Sequence, residues 1–137
     1  MKKINAKKGE FVNLINGLFS VQDLKGKEFG MTVSKNIRIL QDNLKELEGI
    51  GKPSEEFSKL AQEVNQIANE DKENAAEKIK KLEDENKKLV KERQEQIDEL
   101  NKLMAEEMEM ELHLINEKLL PQDITAKQIT NIDKILK

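Results

Sequence analysis

The chain has 137 residues, of which 37% are charged and 36% hydrophobic, with no cysteine, tryptophan or tyrosine. Its 24 basic and 27 acidic residues leave a net charge of -3, so no overall field draws in nucleic acid and a duplex binder is not expected. The missing cysteines exclude disulfides, thiolate metal sites and cysteine nucleophiles, and fit the reducing cytoplasm expected as the location.

A charge content this high suits disorder, but the apolar residues recur at regular steps, and that is what a disordered chain lacks. The pattern predicts one domain over residues 1–137 in three segments: an N-terminal helical region (1–53), a long charged helix or coiled coil (54–107), and a short strand with a C-terminal helix (108–137). The fold class expected is mainly α, an elongated helical hairpin or coiled coil with a small β element near the termini. Met1-Lys2-Lys3 is basic but is followed by Ile4-Asn5-Ala6-Lys7-Lys8, with no apolar core for a signal peptide, and no stretch approaches the length of a membrane span.

In chain order, Phe11, Val12, Leu14, Ile15, Leu18 and Phe19 predict a short amphipathic helix over Gly9 to Phe19, despite Gly17. After a polar connector, Val33, Ile37, Leu40, Leu44 and Leu47 step by four and three residues, the pattern of a coiled-coil helix. Thr32 or Ser34 can cap its start, Gly49 and Gly51 can end it in a left-handed conformation, and Pro53 bars its continuation. Ser54 caps the next helix, with Glu55 and Glu56 in its positive first turn. The short turn predicts that helices 33–48 and 54–68 run antiparallel as neighbours and form the core, with Phe11, Leu14, Leu18 and Phe19 packed on them.

Six polar residues, Asn69 to Asn74, interrupt the long helix at a bend or a frayed turn. From Ala75 to Met104 the seam resumes through Ile79, Leu82, Leu89, Ile97, Leu100 and Leu103, with Asn86 and Arg93 at positions otherwise apolar. This stretch, ~45 Å long if straight, either folds back on residues 54–68 or pairs with a second copy. The second option makes those six residues an oligomerisation surface and the protein a homo-oligomer. Beyond it, Met108, Met110, Leu112 and Leu114 alternate with Glu109, Glu111 and His113, as in a half-buried strand. A continued helix is the alternative reading. Its strand partner would be Lys2 to Ala6 or Glu28 to Val33. After Pro121, Asp123 or Thr125 caps a last short amphipathic helix carrying Ile124, Ile129, Ile132, Ile135 and Leu136, with Gln128 three residues after Thr125 as in a capping box.

Little chemistry accompanies this layout. His113 is the only histidine, so a zinc site would have to be built mainly from carboxylates and a triad would have to use a histidine on the polar face of the strand, while the Glu106, Glu107, Glu109 and Glu111 cluster lacks the glycine and spacing of a calcium loop. No catalytic residue, metal ligand or cofactor is expected, and the protein is read as a non-enzyme. The strongest candidate ligand site is the expected helix start at Ser34. There free backbone N–H groups lie beside Lys35, Asn36 and Arg38, a set suited to a phosphate-bearing molecule.

The runs Phe11-Val12-Asn13-Leu14-Ile15-Asn16-Gly17-Leu18, Val33-Ser34-Lys35-Asn36-Ile37-Arg38-Ile39-Leu40 and Leu119-Leu120-Pro121-Gln122-Asp123-Ile124-Thr125-Ala126-Lys127-Gln128-Ile129 resemble those of a family of small uncharacterised proteins encoded by bacteriophages of Gram-positive hosts. The resemblance covers both ends of the chain and implies a phage or prophage origin, without catalytic residues to carry over. The expected function is a non-catalytic homo-oligomeric binding protein that sequesters a host defence factor or a nucleotide-type signalling molecule. The alternative is a virion or tail assembly factor.

Overall fold

The computed structural model describes residues 1–137, and its architecture is mainly α with a small two-stranded antiparallel sheet. The chain divides into two compact units. Residues 1–47 and 102–137 form the first unit, and residues 48–101 form the second. No helix is long and apolar enough to cross a membrane.

In the first unit, β1 (Lys2–Lys7) pairs with β2 (Glu107–Leu112), with Lys2 opposite Leu112 and Lys7 opposite Glu107. The alternation in β2 thus marks a strand, and the N-terminal segment is its partner. Ala6, Met110 and Leu112 turn to the core, while Lys3, Asn5, Lys7, Glu107, Glu109 and Glu111 face water.

Helix α1 (Lys8–Val21) buries Phe11, Leu14, Ile15, Leu18 and Val21. Val21 takes the place expected for Phe19, which stays exposed. Gly17 in its middle marks a close approach: a Cβ there would lie 2.9 Å from the Asn131 carbonyl oxygen, on the helix α7 (Ala126–Asn131) that packs across α1. The capping box of α7 forms as read, with the Gln128 N–H donating to Thr125 Oγ1 at 3.2 Å and the Thr125 N–H to Gln128 Oε1 at 2.9 Å. Ile132 and Ile135 complete the core.

Helix α2 (Lys27–Asn43) starts about two turns before the expected caps at Thr32 and Ser34. Gly26, at φ 140, turns the chain into it, and Phe29 extends the buried stripe upstream of Val33, Asn36 and Leu40. Residues 28–33 are therefore helical and not a strand.

The helix also ends early. The Asn43 carboxamide donates to the Ile39 carbonyl at 2.7 Å, a local bond that competes with the helix ladder. The chain breaks at Leu44 and resumes as α3 (Lys45–Gly51). Gly49 and Gly51 lie inside α3 with ordinary dihedrals, so the left-handed ending expected of them is corrected: Gly26 alone has positive φ.

The second unit is a helical hairpin. Ser54 caps α4 (Glu55–Glu70), its hydroxyl accepting from the Phe57 N–H at 3.2 Å. After a turn at 71–74 come α5 (Ala75–Glu85) and α6 (Lys87–Met104), whose final residues return to the first unit. In that turn Asp71 accepts from the Asn74 N–H and from Lys78 Nζ, the latter at 2.6 Å. Asn86 separates α5 from α6 in the way Asn43 ends α2, donating to the Leu82 carbonyl at 2.9 Å. The expected core pairing of helices 33–48 and 54–68 is replaced: α2 packs on α1, and α4 packs on α5.

Candidate functional site

Six seam residues were read as an oligomerisation surface because they lacked a partner in the chain. The hairpin supplies one. Leu89, Arg93 and Gln96 line a depression of about 310 Å³ with Phe57 and Ser54, and a Cβ on Gly51 would meet Leu100 at 3.5 Å, so α6 runs back along the start of α4. Ile79, Leu82, Leu89, Ile97 and Leu100 are half-buried along this hairpin, and Leu103 is half-buried at the end of α6. Of the two options for this stretch, the chain adopts the fold-back on α4 and not the pairing with a second copy that was expected.

The polar interruptions of the seam have structural work. Arg93 Nη1 donates to the Gly51 carbonyl at 3.2 Å and to Gln96 Oε1 at 2.8 Å. Gln96 Nε2 in turn donates to the Lys52 carbonyl at 2.9 Å. Together they satisfy carbonyls at the C-terminal end of α3, where cations are favoured. The Arg93 guanidinium also lies 5.9 Å from the centroid of the Phe57 ring.

The four residues proposed to hold a ligand are split between two faces of α2. Asn36 is fully buried, its carboxamide donating to the His113 carbonyl at 2.8 Å and accepting from the His113 N–H at 2.8 Å. It cannot read a ligand, and that assignment is corrected. It acts instead as a one-residue strand, pairing the backbone just beyond β2 as a neighbouring peptide would. His113, expected on the solvent face, is half-buried.

Ser34, Lys35 and Arg38 do come together, on the exposed face of α2, but in the helix interior and not at its start. The free N–H groups expected at Ser34 are therefore spent in the helix; they lie instead in the first turn after Gly26, whose residue offers no side-chain cap. The three residues line a shallow depression of about 440 Å³ with Lys27, Gly30 and Met31. None of Lys27, Lys35 and Arg38 is in an ion pair, whereas Asp42, one turn beyond Arg38, is 3.8 Å from Lys45. Met31 is 52% exposed among these cations.

Sequence reasoning missed Lys27 and Met31 because it began the helix after Gly30. Phe29, four residues before Val33, was the available signal that the buried stripe, and with it the opposite cationic stripe, starts earlier.

Glu106 pairs with Lys8 at 3.0 Å, and no group of three or more histidine, aspartate or glutamate side chains gathers in a metal-holding arrangement. The Asp71 carboxyl is held below the usual carboxylate range by the Lys78 ammonium and by backbone N–H groups of its turn. These bonds span the turn between α4 and α5. Compared with known protein families, curated proteins and solved structures, the chain matches none.

Proposed function

We propose that this is a non-catalytic binding protein that captures an acidic protein partner on the exposed face of α2. The observation that carries the reading is the stripe of Lys27, Lys35 and Arg38 around exposed Met31, with no acidic side chain paired to any of the three cations. Unpaired cations around an apolar centre suit a macromolecular interface, in which Met and Arg contribute contact area and the surrounding charges speed and orient the encounter.

A free nucleotide fits this surface less well. Small-molecule sites bury most of their ligand in a concave pocket, and this depression is open along one helix. The phage resemblance makes a host factor in the bacterial cytoplasm the intended partner, and sequestration the outcome. Where the partner is instead a tail or capsid protein, the same surface serves assembly.

The test is titration calorimetry of the protein with an acidic amphipathic helical peptide at increasing salt, beside cyclic nucleotides as the small-molecule comparison. Peptide binding should weaken as salt rises, and Arg38→Ala should lose on the order of 1.5 to 3 kcal/mol, the worth of a charge-assisted hydrogen bond. Binding that survives Lys35→Glu combined with Arg38→Glu would overturn the assignment. Preferential binding of a nucleotide would replace the partner class.

A further inference from the structure

The sheet has only two strands, so each presents an outer edge, and hydrogen-bond parity shows which residues point there. The Lys8 N–H donates to the Glu106 carbonyl at 2.9 Å, in register with the ladder. The even-numbered residues of β1 and their partners in β2 therefore bond to each other, and the odd-numbered ones point outward.

Three outward positions are already covered. The Lys7 N–H is taken by Glu10 Oε2 at 2.9 Å, the His113 backbone by Asn36, and the Ile115 backbone by Ile135 and Lys137. Short of these stoppers, the backbone groups of Lys3 and Asn5 on one edge, and of Glu107, Glu109 and Glu111 on the other, have no partner in the fold. The same residues carry solvent-facing side chains, so one edge is basic and the other acidic.

We propose that these two edges are a self-docking surface, on which β1 of one copy adds antiparallel to β2 of a second copy. Charge selects the partner. Pairing β1 with β1 sets Lys3 against Lys7, and pairing β2 with β2 sets Glu107 against Glu111, like-charge arrangements that are unfavourable at cross-strand distances. Pairing β1 with β2 of another copy sets Lys3 against Glu111 and Asn5 against Glu109, the register already used within the chain. The odd residues make this contact because the even ones are committed to the internal ladder. The Asn36 carboxamide ends the docking site at His113, which limits it to the open stretch. A contact between two different edges is head-to-tail, so it yields a series of oligomers or a ring and not a two-fold dimer.

Sedimentation velocity of the full chain over a wide concentration range, at low and high salt, tests this. The wild type should gain mass with concentration at low salt and lose that association at high salt. Asn5→Pro removes an outward N–H without breaking the internal ladder, a position where strands tolerate proline, and should abolish association. Glu109→Lys with Glu111→Lys should do the same without a backbone change. Each variant keeps one intact edge, so mixing the two should restore association but stop at dimers. A wild type that stays monomeric throughout, an Asn5→Pro variant that associates like the wild type, or a mixture that stays monomeric overturns the proposal. None of these substitutions lies on α2, so failure here leaves the reading of Lys35 and Arg38 standing.

Discussion

In the unit built from the two ends of the chain, a sheet and three helices close around Phe11, Leu18, Phe29, Leu40, Leu112, Ile132 and Ile135, each at most 2% exposed. In the hairpin of residues 48–101, Leu60 is the one buried apolar side chain, and the rest of the seam is half-covered. The two regions share the same three- and four-residue spacing. What differs is how many elements surround each stripe: two facing helices can cover only one side of each other, whereas a helix lying among a sheet and other helices is enclosed. Periodicity reports that a face will be covered, and the number of neighbours decides how completely.

The largest expected contrast follows from that difference. Leu40→Ala, at a fully buried site, should cost roughly 2 to 5 kcal/mol in urea denaturation, as large-to-small changes do in closed cores. Leu82→Ala in the half-covered seam should cost about 1 kcal/mol, since less area is withdrawn from water. Equal losses would mean that the hairpin seam is as well enclosed as the end-to-end core.

A smaller effect sharpens the account of the first unit. Asn36→Ala leaves the His113 N–H and carbonyl without the amide that pairs them, and should destabilise by about 1 to 3 kcal/mol, the cost of unsatisfied buried groups. Amide exchange at His113 should rise well before that of Leu112. If exchange at His113 is unchanged, Asn36 is not its partner.

The smallest effect belongs to the hairpin turn. The Asp71 carboxyl is held low by Lys78, so whatever stability this pair contributes is present above the ordinary carboxylate pKa and is lost as pH falls through the lowered value. In an NMR titration, Lys78→Ala should move the Asp71 pKa upward. A pKa that stays low would assign the shift to the backbone N–H groups of the turn alone.

Much of the local structure was legible in the residues. The capping box Thr125 with Gln128, the cap at Ser54 and the alternation of Met108, Met110 and Leu112 each rest on interactions spanning a few residues, and each appears where it was read. The start of α2 was misplaced because Gly26 and Gly30 look like loop residues, although Phe29 belongs to the buried stripe. Of the candidate ligand residues, Ser34, Lys35 and Arg38 share a face by helical periodicity alone. Asn36 was misjudged because its partner, His113, is 77 residues away.

By itself the sequence determined the helical character of the chain, the caps at Ser54 and Thr125, the polar break before Ala75 and the strand after Glu107, because spacing and side-chain chemistry act over one or two turns of backbone. Only the tertiary structure decided that the two ends form one unit, that the Ile79 to Leu100 seam meets α4 of its own chain, and that Gly17 admits α7 while Asn36 closes the edge beyond β2. Those outcomes depend on which distant faces cover one another and on which buried polar groups must then be paired, and neither is written in the local pattern.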